Sequence, residues 1–383
     1  MIFDRLKHHT KLLVGGQLEK ILSVQYLRGQ GPASRLISVY SEAAKQIGVE
    51  QNTLITPIPV KKLAPDFSLD GDIETEYRRH FLDGPDLTSK AGIFSARNVD
   101  VSFPTGMHQI GKYILKEVLP APYVLTNPKY YFGLESMYYK RKRLVDEGIL
   151  LSMPWHHNFY HWMIEVLPRL VSYDRCPSLQ HLPLIVPKSA SKFVAESLRL
   201  TGHQSKSVFL EDGVYRFKKL HMLSVLSSTM DVSPDALDWL NKKIVVAPSS
   251  LVRPKRIYVS RCDAKIRFIS NEPLLADVLS EFGFETIVMS KLPLADQIDV
   301  FRAAECIIGP HGAAFTNLAF SKPGAIFIEF FSKGHFSPSF NRIAAVRKLK
   351  YGFLVGEPTR IGGFSINPNH LRAILSQALQ QPT

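Results

Sequence analysis

From residue 257 onward, short apolar runs alternate with amphipathic stretches, and this alternation restricts the fold more than any other feature. The spacing predicts strands at 257–260, 285–289, 306–308, 325–330 and 351–355. It predicts helices at 273–282, 294–304, 313–320, 341–349 and 370–379. In the first helix Leu274, Leu275, Val278, Leu279 and Phe282 would share one face, and Pro293 suits the start of the second. Strands and helices joined by short links imply a parallel sheet covered on both faces, so the fold class is α/β. Ligands of such sheets bind outside the carboxyl ends of the strands.

Upstream the pattern is less regular. Leu36, Val39, Ala43 and Ile47 have helical spacing, which predicts a helix over 33–48. Pro57, Pro59 and Pro65 make 54–70 an extended connector. Residues 90–150 look strand-rich, with strands expected at 99–103, 113–118 and 123–126, then at 182–186 and 219–226, and helices at 191–200 and 236–244. A chain of 383 residues is long for one core. Pro248 and Pro254 bracket the best linker, so the expected division is an N-terminal segment (1–70), an α/β domain (71–247) and a second α/β domain (248–383).

Charge narrows the partners. The formal net charge is +13, which favours anionic ligands. Nucleic acid is not the expected partner, because the one dense basic run, 140–143, is short and flanked by apolar residues. It reads as a solvated face or a patch touching an anionic membrane surface. Cys176, Cys262 and Cys306 are too far apart for a disulfide framework or zinc spacing. No apolar run is long enough to cross a bilayer, and charges interrupt the first nine residues where an export signal needs its apolar core. The expected location is cytoplasmic, with at most peripheral contact at the inner membrane face.

Two stretches could carry chemistry. In 306–317 a strand runs into Gly309, Pro310, His311, Gly312 and Ala313, then a helix start. Small residues let a ligand approach the backbone, and a helix N-terminus suits a phosphate. Arg261 and Arg267, near the end of the first strand, could grip a diphosphate, or could be surface arginines paired with Asp263 and Glu272. Glu329 could accept hydrogen bonds from ribose hydroxyls, or could pair with Lys333. In 155–170, Asn158 could cap a helix that sets His161 and Glu165 four apart on one face. Either could be a general base. The same stretch could be a structural helix, or His157, His161 and Glu165 could form a metal site. Trp155 and Trp162 could be core or could face a sugar ring.

Together these stretches resemble glycosyltransferase family 61. Asn158 to Leu170 looks like its first signature, and Gly309 to Asn317 followed by Pro323-Gly324-Ala325 and Ile328-Glu329 looks like its second. Ser260, Arg261, Arg267, Ile269, Asn271 and Glu272 are similar to the segment between them. Ala314 and Phe315 depart from the family's usual Gly-Leu, and Phe315 is expected to narrow the pocket. The resemblance implies a GT-B architecture, two Rossmann-like domains facing across a cleft. It implies inverting transfer from a nucleotide-diphosphate sugar, UDP type, with no cofactor and no essential metal. The acceptor would be a glycan or lipid-linked glycan of a bacterial surface polysaccharide. Donor-binding residues would be Ser260, Arg261, Arg267, Asn271, His311, Gly312, Ala313, Asn317 and Glu329. His161 or Glu165 would be catalytic, with His157, Asn158, Trp162 and Arg169 on the acceptor side. A non-catalytic nucleotide- or glycan-binding protein of the same fold, or a His/Glu metal hydrolase, is the alternative.

Overall fold

The computed structural model describes residues 35–38, 40–69, 91–111, 113–119, 142–228, 231–246, 253–360 and 362–380, with Tyr77, Phe81 and Thr88 as single positions. Two sheets organise them. The first holds β1 (Arg35–Ile37), β2 (Glu50–Ile55), β3 (Ala91–Phe103), β4 (Met107–Ile110), β5 (Tyr113–Leu115), β6 (Arg143–Leu150), β7 (Leu184–Pro187), β8 (Ser207–Leu210) and β9 (Gly213–Leu223). Their order is β1-β5-β4-β3-β9-β6-β7-β8, with β2 also beside β3. β9, β6, β7 and β8 are parallel neighbours, whereas β3 meets β9 antiparallel. The parallel half is built by crossovers: the helical segment 161–174 links β6 to β7, and helix Lys192–Leu200 links β7 to β8. β7 is buried along its whole length, as a strand covered on both faces must be.

The second sheet holds β10 (Arg256–Val259), β11 (Glu285–Ile287), β12 (Cys306–Pro310), β13 (Ile326–Ser332), β14 (Lys350–Pro358) and β15 (Phe364–Ser365). The order is β11-β10-β12-β13-β14-β15, all parallel except β15. β11 lies on one side of β10 and β12 on the other, so the winding reverses between β10 and β12. That reversal opens a crevice at the carboxyl ends of these two strands, where ligands of doubly wound sheets bind.

The expected alternation after 257 is present, and the α/β class holds. Several local expectations fail. Residues 35–37 form a strand, and helix is confined to Glu42–Gln46, capped by Ser41. Residues 116–118 leave β5 as a tight helical turn. β6 was not foreseen, because its charged residues break the apolar pattern. Those charges are used across the sheet: Glu147 meets His221, and neighbouring Lys142 bonds Asp100. Lys142 and Arg143 are exposed, as a solvated face requires, and they also bond Asp100 and Tyr215 across the sheet. Leu274 is exposed, since 272–275 is a 3-10 turn that rotates it off the buried face kept by Val278 and Leu279. The expected strand at 123–126 and most of the 248–254 linker lie outside the described residues.

The extended stretch before residue 70 crosses to the second sheet. Phe67 pairs with Gly352 of β14, and the Asp66 carboxylate accepts from the Tyr351 N–H at 2.8 Å. β15 covers only Glu357 and Pro358, so Phe67 takes an edge of β14 that β15 leaves open. A Cβ on Gly352 would lie 2.7 Å from the Phe67 Cβ, which is why glycine stands there. One apolar cluster joins the sheets, taking in Trp162 and Leu167 with Phe315, Phe327, Phe331, Phe340 and Tyr351. The rings of Tyr160 and Phe340 meet edge-on at 5.6 Å, so the two candidate stretches are anchored to a common core.

Candidate active site

The crevice between β10 and β12 is built by close approach. Gly309 in β12 has φ +149°, and a Cβ there would stand 2.6 Å from the Val259 carbonyl oxygen of β10. Gly312 has extended backbone, but its Cβ would fall 1.9 Å from Arg261 Nη1. The absence of side chains at these two positions lets the Arg261 guanidinium lie against the turn that follows β12. Arg267 is held in the left-handed region at φ 58°, and its N–H donates to the Gly362 carbonyl at 2.7 Å. Its Nη1 reaches His335 Nε2 at 3.0 Å.

These two arginines are short of partners. Arg261 donates from Nη2 to the Ile266 carbonyl at 3.2 Å, and the Nε of each arginine is buried without an acceptor. Among the described residues neither makes an ion pair. The carboxylates once weighed as their partners are engaged elsewhere: Asp263 with Ser290, and Glu272 with Ser260 at 2.6 Å and Tyr258 at 3.1 Å. Burial lowers the pKa of both guanidiniums; for Arg261 the Arg267 charge lowers it further. Two desolvated cations with spare donors form a site for an oxyanion.

His311 lies at the same mouth. Its ring stacks on Phe331 (centroids 5.5 Å apart) and packs on Phe340 at 4.9 Å and His335 at 5.3 Å. Its Nδ1 is 2.5 Å from Glu329 Oε1. Burial, then the charges of Arg267 and Arg261, push the imidazole well below its ordinary pKa. Glu329 is fully buried, which pushes its carboxyl well up, and its other oxygen accepts from Tyr351 Oη at 3.0 Å. This corrects two expectations. Glu329 is fully buried, with each oxygen already engaged, so it does not face ribose hydroxyls; its partner is His311, while Lys333 pairs with Glu357.

Three further residues expected at the donor site are structural. Asn271 exchanges two hydrogen bonds with the Ile366 backbone, at 2.8 and 3.0 Å. Ser260 is buried against Glu272. Asn317 is fully buried and donates to Gln297 and the Ala314 carbonyl, both at 3.1 Å. Phe315 does not narrow the crevice. It is fully buried and packs edge-on against Phe327 at 4.8 Å. Ala313 opens the eight-residue 3-10 helix Ala313–Phe320 at the crevice floor, its first amides outside the helical ladder.

At the first sheet the chain leaves β6 and reaches Asn158, whose side chain accepts from the Tyr160 N–H at 2.9 Å and caps a helix as expected. Pro168 has no N–H to offer Ile164, and the preceding turn widens into a π-helix over His161–Val166, with Leu167 N–H bonding the Trp162 carbonyl. Such wide turns are frequent at functional sites. His161 Nδ1 is 2.6 Å from Glu165 Oε2. The His161 side chain is 16% exposed and Glu165 only 1%. Burial raises the Glu165 pKa, with His161 and Arg169 opposing. The Trp155 ring lies 5.2 Å from His161, and His157 beside it is exposed at the surface, its pKa lowered by partial desolvation and by the nearby His161.

Trp162 and Arg169 are not on an acceptor face. Trp162 is fully buried and donates to Ser197 at 2.7 Å. Arg169 is fully buried and ties its helix to the sheet: it donates to the Glu165 carbonyl at 2.7 Å, the Leu223 carbonyl at 3.2 Å and Met153 Sδ at 2.9 Å. Among the described residues no three His, Cys, Asp or Glu side chains gather as metal ligands, so the metal-hydrolase reading gains no support from this geometry. His335 and Tyr351 were not foreseen. His335 stands in a turn beyond β13 with no motif around it, and Tyr351 reads as an ordinary strand residue.

Comparison with known proteins gives two likenesses. Residues 159–328 match the family model described as Glycosyltransferase 61. A stretch of 85 residues is 35% identical to the xylan glycosyltransferase MUCI21 of Arabidopsis thaliana, covering 21% of this chain and 17% of that protein. The chain therefore spans well under two thirds of the curated relative it matches. The family similarity runs from the capped helix of the first sheet to β13 of the second, and takes in His161, Glu165, Arg261, Arg267 and His311.

Proposed function

We propose that this protein is an inverting glycosyltransferase that moves a sugar from a nucleotide-diphosphate donor to a hydroxyl of a polysaccharide or lipid-linked glycan. One observation carries the reading: Arg261 and Arg267 converge, half-buried and without carboxylate partners, at the point where the second sheet reverses its winding. The family likeness over 159–328 supports it. In this reading residues 248–383 hold the donor and 71–247 the acceptor, in a GT-B-like pair of Rossmann-like units facing across a cleft.

The roles follow from burial. Glu165 is too deeply buried to touch an acceptor, so it orients His161 by holding Nδ1, and Nε2 is left to take the acceptor proton. The acceptor oxygen attacks the anomeric carbon from the face opposite the diphosphate, the bond to the diphosphate oxygen breaks, and configuration inverts. Charge then grows on the leaving diphosphate, where the two guanidiniums and the amides beginning at Ala313 stabilise it. His311, kept neutral, donates one hydrogen bond there from Nε2 without adding charge, its Nδ1 being held by the Glu329 carboxyl. The acceptor belongs to a bacterial surface polysaccharide, and the enzyme works at the inner face of the membrane. No helix among the described residues is long and apolar enough to cross a membrane.

The test is a panel of nucleotide sugars with release of the nucleoside diphosphate as readout. Turnover with one donor, abolished in Arg261→Ala, is expected. Absence of turnover and of binding with every donor would remove the reading. Binding without transfer to any glycan acceptor would instead favour a non-catalytic protein of the same fold.

A further inference from the structure

His335 is half-buried in the turn after β13 and takes part in no motif. The turn is firmly held. The Gly334 N–H donates to Tyr77 Oη at 3.0 Å, Tyr77 Oη donates to the His335 carbonyl at 3.4 Å, and the His335 N–H donates to the Ser332 carbonyl at 2.9 Å. The imidazole is thereby fixed between Arg267, 3.0 Å from its Nε2, and the His311 ring, 5.3 Å away. An arginine only donates, so Nε2 accepts and any ring proton is on Nδ1. His335 is thus neutral in this arrangement.

We infer that His335 is a third ligand of the donor diphosphate, one that engages it only as an imidazolium, so that the nucleotide sugar binds together with a proton. The inference rests on the proposed donor site and adds a proton linkage to it. The groups facing His335 are Arg267 and His311, with Arg261 next to them and Glu329 behind His311. Nearby carboxylates are committed: Glu329 to His311 and Tyr351, Glu357 to Lys333, and Asp263 to Ser290. Among the described residues, therefore, no carboxylate pairs with His335. Burial and its two neighbours, His311 and Arg267, hold its pKa down to about 4.

A diphosphate lodged against Arg261 and Arg267 reverses that field. The anion favours the charged imidazole, as a nearby opposite charge always does. Once Nε2 carries a proton it no longer accepts from Arg267. Both groups are then donors, their contact opens, and both N–H groups turn to phosphate oxygens. His311 does not duplicate this role, because its Nδ1 is already bound to a buried carboxyl. No bond is made or broken beyond the proton transfer, and the proton comes from solvent.

The experiment is calorimetric titration of the intact protein with UDP-glucose, GDP-mannose and dTDP-glucose. The diphosphate diesters of these probes stay ionised between pH 5.5 and 8, so they contribute no protons themselves. Buffers of different ionisation enthalpy report the protons taken up. The wild type should take up close to one proton at pH 6, and its Kd should tighten as pH falls, approaching tenfold per pH unit at most. In His335→Gln the amide oxygen still accepts from Arg267 but gains no proton, so uptake should vanish and the pH slope should flatten. Tight binding with no uptake by the wild type overturns the inference while leaving the donor site in place. So does an equal uptake by His335→Gln. Absence of binding by all three donors overturns both the inference and the proposed function. The wild-type measurement stands by itself if the variant does not fold.

Discussion

The mouths of the two sheets carry the same device in different electrical settings. In each, a histidine Nδ1 meets a buried glutamate, at 2.6 Å for His161–Glu165 and 2.5 Å for His311–Glu329. At the first sheet Trp155 lies against the ring, and Arg169 donates to two carbonyls and a sulfur. At the second sheet burial, and then the charges of Arg267 and Arg261, hold the ring neutral. In the proposed mechanism the first pair takes the acceptor proton. The second resists protonation, which suits a fixed donor beside a diphosphate. The lesson is that a His–Glu pair is not a base by composition; burial and the neighbouring charge decide.

The largest expected effect follows from that contrast. His161→Ala should lower kcat by about 10²–10⁴-fold, the usual contribution of general base catalysis, with donor Kd nearly unchanged. His311→Ala should do the reverse in kind, raising donor Kd and altering kcat less. Steady-state kinetics combined with calorimetric donor binding separates the two. Equal losses of binding in both variants would mean that the two pairs are not divided between acceptor and donor.

A glycine substitution probes the donor side next. Gly312→Ala places a methyl where Arg261 now lies, 1.9 Å from Nη1. The guanidinium must leave the turn, and losing one of two charged ligands of an anion costs about 2–3 kcal/mol, or roughly 30–150-fold in donor Kd. Because φ at Gly312 is −176°, an ordinary extended value, the backbone should tolerate the change. A drop in thermal stability with donor affinity intact would contradict the placement of Arg261 at the site.

How far these two regions could be read in the sequence differs for a physical reason. Strand–helix alternation and glycine turns are local, so β10 to β14 and the turn at 309–312 were legible, whereas the approach of Val259 and Arg261 to its glycines was not. The arginines of the mouth were legible as well, because they follow a strand end. Burial of polar side chains is not local. Glu329, Asn271, Asn317, Trp162 and Arg169 looked like ligands because they are polar or aromatic within motifs. Each is instead consumed by a partner distant in sequence or by the backbone around it, as with Trp162 and Ser197 or Asn271 and Ile366. His335 went unseen for the opposite reason, since only the fold brings it to Arg267. β6 failed because its cross-strand ion pairs place charges where an alternating apolar pattern is expected.

A subtler break of the comparison exchanges each carboxylate for an amide. Glu165→Gln keeps the size of the side chain but removes the charge that stabilises an imidazolium on His161. It should reduce kcat and weaken the dependence of rate on the base. Glu329→Gln faces a histidine that stays neutral in the proposed mechanism, so its effect on kcat should be smaller, and its thermal stability should change little or rise at high pH. The sign follows from burial: the folded pKa of Glu329 lies above its ordinary value, so this group destabilises the fold as pH rises from the ordinary carboxylate range through the raised pKa. Gln removes that term. Rate profiles for the first variant and melting curves across pH for the second are the measurements, and an equal kcat loss in both would erase the distinction.

The smallest effects concern histidines away from either mouth, and they ask whether the first sheet is the acid-sensitive part. His108 is fully buried with Nε2 accepting the Leu115 N–H at 3.1 Å, and burial holds its pKa down to about 3. His156 is likewise buried, with its pKa down to about 4. A histidine whose folded pKa is depressed binds fewer protons folded than unfolded, so stability is complete above about 6.5 and is lost as pH falls toward the folded value. Each group costs up to about 1.4 kcal/mol per pH unit in that window. His108→Gln removes one such term at the price of a changed acceptor. Its melting temperature should therefore lie below that of the wild type at pH 8, and the gap should narrow or close by pH 5. A gap that stays constant with pH would show that His108 binds protons alike in the folded and unfolded chain, so that burial does not depress its pKa.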